Sequence, residues 1–290
     1  MGSIEEATRY LIDSRIDELM WGGFDDWFAY LTEKMKLGLG YVKENRKQII
    51  EVFQRRNVMV HNNGITHSSY VNKVSADLRT DVSLGEPLTV SPDYLSRSID
   101  LIVTNFLLVA ADLWKQLDPS DEMRGQVLVE IAFERLRQER WKVAEGLSCF
   151  LMKDKKLSER NQLIGALNYW QSIKWQNRFE EVRSQVRDSD FSAKDELYQA
   201  ARYALLDDDK SFFSLLPAVF DGGKLDLDRL GTWPIFREMR KSQLYQDFLQ
   251  SRGDDPSRSP AERFLTARIV PQLAAPGGNS GETAALPKAQ

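Results

Sequence analysis

The chain has 290 residues, of which 42% are hydrophobic and 28% are charged, and its formal net charge at pH 7 is −4. That length favours two compact domains with hydrophobic cores, and the acidic balance makes the chain a poor generic binder of nucleic acid, which needs many phosphate contacts. The single cysteine, Cys149, excludes a disulfide framework within the chain. No secretory signal is recognised at the start, and no uncharged apolar run is long enough to span a bilayer. We therefore expect a cytoplasmic protein without a membrane segment.

Apolar residues recur at helical spacing throughout residues 1–118. The pattern predicts a first helix from Ile4 to about Leu19, a second from Asp25 to Lys36, a third from about Val42 to His61, and a long fourth from Ser91 to about Leu117. A short helix is predicted within residues 65–78, and residues 79–90 are predicted to be a loop. The centre of the long helix is apolar on nearly every side, which is typical of a bundle core or a subunit interface.

The second part of the chain follows the turn-forming residues 117–121 and contains a repeat of 34 residues. Six residue pairs share this spacing: Leu163 and Leu197, Ala166 and Ala200, Tyr169 and Tyr203, Phe179 and Phe213, Val182 and Leu216, and Val186 and Phe220. This pattern resembles the tetratricopeptide family, which implies that residues 119–250 form a short array of helical hairpins closed by a capping segment from Trp233 onwards. Residues 251–290 are predicted to be a linker, a short helix around residues 261–273 and a disordered tail.

The residue types limit the chemistry that this chain can support. It has two histidines, His61 and His67, and one cysteine, so a metal site built from these ligands is not expected. A glycine-rich phosphate loop and a nucleophile elbow are both missing from the sequence. We therefore expect neither a metal ion nor a cofactor.

The best candidate site is the stretch from Arg56 to His61 at the end of the third predicted helix. Asn57 and His61 are four residues apart and share a helical face. Arg56 and His61 point roughly 140° apart on a straight helix, so a loosened helix end is needed to bring them together. Histidine can transfer a proton near neutral pH and arginine can hold charge on a phosphate, so these types suit metal-free RNA cleavage through the 2′-hydroxyl. The alternative is a solvated arginine beside a histidine that complements the helix dipole.

The residues around this stretch, Phe53 to Ile65 with Tyr70 following, closely resemble the HEPN superfamily, whose motif is an arginine, a polar residue, a short spacer and a histidine. In this sequence these are Arg56, Asn57 and His61. The resemblance covers about residues 4–117. It implies a bundle of four or five helices, a homodimer that brings two such sites into one cleft, and metal-independent endoribonuclease cleavage that leaves a 2′,3′-cyclic phosphate.

The same resemblance implies a biological setting and a substrate. HEPN proteins are often toxins or effectors in bacterial antiviral defence, including abortive infection, and a folded RNA such as tRNA is the expected substrate. The region of residues 41–61 is locally basic, with five basic and two acidic side chains. We expect RNA to be held there by Lys47 and Arg55, with Tyr70 in a supporting position.

Two other functions stay open, because some HEPN proteins are inactive binding modules. A helical adaptor would dimerise through the bundle and bind a protein partner on the concave surface of its repeats. An inhibited enzyme would be one half of a toxin and antitoxin pair. His61→Ala separates nuclease from adaptor, since this substitution would abolish the cellular effect of a nuclease and leave that of an adaptor intact.

Overall fold

The computed structural model describes residues 3–79 and 82–253. Within these ranges the chain forms thirteen α-helices, short 3₁₀ turns and one π-helical turn, with no β-strand beyond a single isolated bridge between Ile65 and Pro87. The predicted all-α class is therefore confirmed. The linker, short helix and tail predicted from residue 254 onwards lie outside the described residues.

Five α-helices form the first part of the chain: α1 (Ile4–Trp21), α2 (Phe24–Ala29), α3 (Gly40–His61), α4 (Ser68–Lys73) and α5 (Pro92–Leu117). The second predicted helix consists of two parts, which are α2 and a π-helical turn over Tyr30–Lys34 that directly follows it. The N-terminus of α5 begins as the sequence predicts: the Ser91 hydroxyl accepts a hydrogen bond from the backbone N–H of Tyr94 at 3.0 Å, and Pro92 occupies the first turn.

The second part of the chain contains eight α-helices: α6 (Glu122–Arg137), α7 (Trp141–Lys153), α8 (Glu159–Lys174), α9 (Arg183–Asp188), α10 (Glu196–Leu205), α11 (Asp209–Asp221), α12 (Leu227–Thr232) and α13 (Gln243–Ser251). The residues of all six pairs with 34-residue spacing are buried in one core cluster or packed against it. The repeat therefore marks equivalent core positions in α8 to α11. Its assignment to the tetratricopeptide family stays a prediction.

The predicted domain boundary falls in the connection between α5 and α6, yet the two parts share a core there. Leu108 and Ala111 of α5 lie in one buried cluster with residues of α6 and α7. Asp154, at the end of α7, is ion-paired with Lys115 of α5 at 2.9 Å and with the fully buried Arg124 of α6 at 3.1 Å. Packing and buried charge therefore both join the two parts across residues 118–121.

The long helix α5 is, among the described residues, the one helix with the length and composition to cross a membrane. A core helix of a soluble protein has the same properties. In this chain α5 packs against α3 and α7, and its polar residues Ser98, Thr104 and Asn105 are buried within the fold.

The capping segment after Trp233 reaches back to the first helices of the second part. The ring centroid of Trp233 lies 6.2 Å from that of Phe133 in α6. The guanidinium of Arg237 lies over the rings of Trp141 and Trp175, at 5.7 and 5.3 Å from their centroids, and contacts the carboxylate of Glu139. The segment therefore packs against side chains of α6 and α7 and against Trp175, which follows α8.

Helices α7 and α8 approach closely at Gly165, where an added Cβ would lie 2.7 Å from Leu151 Cβ and 2.9 Å from the backbone nitrogen of Met152. Because a backbone atom cannot move aside, we expect Gly165→Ala to cost about 1–2 kcal/mol of unfolding free energy, since overpacking outweighs the better helix propensity of alanine. Urea unfolding measures this loss. Gly38→Ala is the matched control, because nothing lies within 4 Å of its added Cβ, and equal stability of the two variants would contradict the prediction.

Candidate active site

The C-terminal end of α3 is held in place by a loop that folds back on it. Gly64 adopts a φ of +78°, and its backbone N–H donates to the carbonyl of Val58 at 3.1 Å. The carbonyl of Gly64 accepts from the backbone N–H of Leu88 at 2.8 Å, and Thr66 and Glu86 exchange further hydrogen bonds. The loops of residues 62–66 and 83–90 are therefore hydrogen-bonded to each other beside the last turn of α3, and this fixes the position of His61.

Arg56 and His61 meet at this helix end. The Nη1 atom of Arg56 lies 3.1 Å from Nε2 of His61, and both side chains are exposed. The helix does not loosen, because α3 stays helical up to His61 and the backbone N–H of Asn62 still donates to the carbonyl of Val58. The prediction that the helix loosens at its end is therefore wrong. The side chain of Arg56 is long enough to reach His61 around the intact helix.

The contact has the length of a hydrogen bond, and Arg56 could only be its donor, because a guanidinium has only N–H donors. Asn57 does not contact the ring; its Oδ1 accepts from Nη1 of Arg56 at 3.2 Å. Asn57 therefore positions the guanidinium of Arg56, whereas its helical spacing suggested that it would orient the imidazole of His61.

Arg55 is part of an internal network centred on the buried carboxylate of Glu51. Its Nε donates to Glu51 Oε1 at 2.6 Å, its Nη1 donates to the carbonyl of Thr89 at 2.7 Å, and its guanidinium lies over the Tyr94 ring. The hydroxyls of Tyr70 and Tyr94 donate to the two oxygens of Glu51 at 3.0 and 2.7 Å. Burial, followed by the charge of Glu51, raises the pKa of Tyr70 to about 12.

These positions correct two of the three predicted RNA contacts. Tyr70 is fully buried, and the side chain of Arg55 is only 14% exposed. Both hold the loop and α5 onto α3, and the hydrogen-bonding groups of both are used within the protein. Glu51 and Tyr94, which the sequence analysis did not select, complete the network. The spacing of four residues between Glu51 and Arg55 was the available signal for an ion pair on one helix face.

Lys47 is exposed but lies away from Arg56. Nine residues separate the two, which on an α-helix corresponds to a half-turn in direction and about 13 Å along the axis. The ammonium group of Lys47 lies 3.9 Å from a carboxylate oxygen of Asp77. The structure therefore does not bring Lys47 to the pair of Arg56 and His61, and RNA could contact both only by passing around α3.

The second histidine has a local structural role. Nδ1 of His67 accepts a hydrogen bond from the backbone N–H of Ser69 at 3.1 Å, so His67 caps the start of α4. No group of three or more His, Cys, Asp or Glu side chains is placed to hold a metal ion anywhere in the described ranges. The exposed chemical groups in the last two turns of α3 are thus the imidazole of His61 and the guanidinium of Arg56, with the half-buried amide of Asn57 beside them.

Exposed apolar side chains surround this helix end. Val60, next to His61, is 57% exposed, and Ile65 and Val90 of the two hydrogen-bonded loops are 40% and 41% exposed. Leu95 and Ile99, in the first turns of α5, are exposed as well. A polar site with an apolar margin is typical of a surface that another molecule covers.

The chain was compared with protein-family models, curated proteins and solved structures, and no match was found. Two features of this chain indicate a function: the geometry at the end of α3 and the resemblance of its residues to a known motif.

Proposed function

We propose that this protein is a metal-independent endoribonuclease of the HEPN type, acting as a toxin or effector in bacterial antiviral defence. The observation that carries the proposal is the exposed contact between Nη1 of Arg56 and Nε2 of His61 at 3.1 Å. An imidazole and a guanidinium are the two groups needed to take up a proton next to a phosphate. The resemblance to the HEPN motif is carried by these residues and by Asn57.

The proposed reaction uses the substrate's own nucleophile. On substrate binding, Arg56 turns from Nε2 of His61 to the phosphate. Nε2 then accepts the proton of a ribose 2′-hydroxyl, and the resulting oxygen attacks the adjacent phosphorus. The bond to the 5′-oxygen breaks, leaving a 2′,3′-cyclic phosphate on one fragment and, after protonation of the leaving oxygen, a 5′-hydroxyl on the other. Arg56, held by Asn57, stabilises the negative charge that develops on the phosphoryl oxygens.

A second histidine is needed to give a proton to the leaving oxygen, and His67 is occupied as a helix cap. We propose that His61 of a second copy supplies it in a homodimer. The exposed apolar residues Val60, Ile65 and Val90 beside His61 support this arrangement, since a copy that covered them would bring the two helix ends together.

For residues 119–250 we propose a tetratricopeptide-like array that senses a trigger or a protein partner. The position of all the 34-residue repeat pairs in or against one core cluster supports this part of the proposal. A partner on the side covered by the capping segment has to displace Arg237 from Trp141 and Trp175. That requirement argues against an adaptor whose binding surface is always accessible. It is compatible with a protein that changes conformation when its partner binds.

The test is cleavage of labelled total RNA and tRNA by the purified full chain in EDTA. We expect cleavage that survives chelation, fragments ending in a 2′,3′-cyclic phosphate, and a rate loss of at least about 100-fold for both Arg56→Ala and His61→Ala.

Two controls match these variants. His67→Ala removes the other histidine, and Arg97→Ala removes an exposed arginine that is ion-paired with Asp93 in the preceding turn of α5. Both are expected to cleave like the unmodified chain. Cleavage that persists in His61→Ala would exclude this mechanism, and activity that disappears on chelation would point to a metal-dependent nuclease.

A further inference from the structure

Two tryptophans and a glutamate of the second part of the chain surround an arginine of the capping segment. Trp141 is the first residue of α7, and Trp175 directly follows α8. The guanidinium of Arg237 lies over both indole rings and contacts the carboxylate of Glu139. We name Glu139, Trp141 and Trp175 the indole slot. Aromatic faces and a carboxylate are the groups that proteins use to bind a cationic ligand.

The Trp175 side of the indole slot is held to α7 without any contribution from Arg237. The side-chain amide of Gln176, the residue after Trp175, donates to the carboxylate of Glu145 in α7 at 2.8 Å. Arg178 donates to the same carboxylate at 3.2 Å. The end of α8 therefore stays beside the start of α7 when the Arg237 side chain moves away.

The Trp141 side of the indole slot is anchored to the first part of the chain. Arg140 lies between Glu139 and Trp141 in the sequence, and its guanidinium pairs with Asp100 of α5 at 2.6 Å. This ion pair fixes the turn that carries two of the three slot residues. The slot is therefore formed by the fold itself, next to a contact between the second part of the chain and α5.

Two cations lie over the ring of Trp175, and they differ in how firmly they are held. The ammonium of Lys174 donates to two carbonyls at the end of α10 and to a carboxylate, and its side chain is 8% exposed. The side chain of Arg237 is 37% exposed, and its one hydrogen-bond partner within the described residues is the exposed Glu139. Arg237 is therefore the cation that a competing ligand can reach and replace.

We propose that the indole slot binds an arginine side chain of a protein partner, and that Arg237 is an internal ligand which this arginine displaces. The group that now occupies the slot indicates the chemistry of the ligand. A guanidinium is planar and weakly hydrated, so it stacks on indole faces, whereas the ammonium of lysine is compact and strongly hydrated. The inference names the chemistry of the partner and rests on the proposed function of residues 119–250 as a sensor.

The test is a titration of the full chain with a short peptide of glycine, serine and one arginine. Nuclear magnetic resonance follows the indole N–H signals, which Trp141→Phe and Trp175→Phe assign. In Arg237→Ala we expect the peptide to shift these two signals with a Kd about 10-fold lower than in the unmodified chain, because the internal competitor is gone. Arg237→Gln keeps most of the side chain without its guanidinium and is expected to behave in the same way.

Two altered peptides and one variant are the matched controls. Citrulline in place of arginine keeps the shape without the charge, and lysine keeps the charge without the planar group; both peptides are expected to bind at least about 10-fold more weakly. Arg252→Ala removes a guanidinium that lies over Phe220 and Phe248, leaves the indole slot occupied, and is expected to bind like the unmodified chain.

Three results would each overturn the proposal. These are unshifted indole signals in both Arg237 variants, an equal Kd in the substituted and unmodified chains, and equal binding of the three peptides. The titration contains no RNA, so it is independent of the cleavage assay. A chain that binds the arginine peptide without cleaving RNA refutes only the nuclease, and a chain that cleaves RNA without binding the peptide refutes only the arginine site.

Discussion

Glu51→Ala is expected to lower the unfolding free energy by about 3–5 kcal/mol, because removing one partner of a buried ion pair leaves the other charge without compensation. The Glu51 carboxylate accepts hydrogen bonds from Arg55, Tyr70 and Tyr94, which come from α3, α4 and α5. The substitution therefore leaves a buried guanidinium and two buried hydroxyls without their acceptor. Urea unfolding monitored by tryptophan fluorescence measures the loss.

Glu44→Ala is the matched control, since Glu44 lies two turns earlier on the same helix and is exposed. We expect its effect to stay within about 0.5 kcal/mol. Equal effects of the two substitutions would show that the Glu51 network does not hold the loop and α5 onto α3.

The adjacent arginines Arg55 and Arg56 should respond in opposite ways. Arg55→Ala removes the partner of Glu51 and is expected to destabilise the fold, while Arg56→Ala changes an exposed side chain and is expected to leave stability within about 0.5 kcal/mol. Under the proposed function, only Arg56→Ala removes activity from a protein that is still folded. Measuring stability and cleavage on both variants therefore separates the structural role from the chemical one.

Helical periodicity predicted the main helices well, because the apolar face of a helix is recorded locally in the sequence. The bounds of α3 and α5 agree with the predicted ones to within two residues, since Asn62-Asn63-Gly64 and Ser91-Pro92 are local signals for the end and the start of a helix. The π-helical turn after α2 was not predicted, and no residue in Tyr30–Lys34 distinguishes it from α-helix.

The candidate site was predicted at the level of residues but not of contacts. The sequence identified Arg56, Asn57 and His61, whereas the reach of the Arg56 side chain to Nε2 of His61 depends on a rotamer that spacing does not specify. Arg55 and Tyr70 were assigned to a binding surface because basic and aromatic residues are common in such surfaces. Their burial depends on Tyr94, which is distant in sequence and comes from another helix.

The exposed apolar residues of α1 and α5 are a second feature that the sequence alone does not predict. An amphipathic pattern predicts that a helix has a buried face, and it does not say which surface covers that face. For α5 the sequence left the choice between bundle core and subunit interface. The structure shows that α5 contributes to the core through Leu108 and Ala111, and it leaves Ile99 and Phe106 partly exposed. Only the three-dimensional arrangement reveals that α1 and this part of α5 both lack a partner.

Arg124→Ala is expected to cost about 3–5 kcal/mol as well, at the junction between the two parts of the chain. The Arg124 side chain is fully buried, donates to the carbonyl of Asp118 at 2.9 Å and pairs with the buried carboxylate of Asp154. Its loss frees the turn after α5 and removes one of the two cations that compensate Asp154. The exposed Arg137 lies on the same helix, and Arg137→Ala is the control, with an expected effect within about 0.5 kcal/mol.

The same junction predicts how stability depends on pH. Burial alone would raise the pKa of Asp154, but hydrogen bonds from Lys115 and the backbone of Lys156, together with the charges of Lys115 and Arg124, outweigh burial and lower it. A carboxyl group whose pKa is lowered in the folded state contributes stability above the pKa of the unfolded chain, about 3.9, and this stability is lost as the pH falls through the lower folded value. Asp154→Asn should therefore reduce stability at pH 7 and flatten its decline between about pH 5 and the acid transition. Urea unfolding of both chains across this range measures the difference, and parallel curves would mean that the ion pairs of Asp154 do not contribute to the stability of the junction.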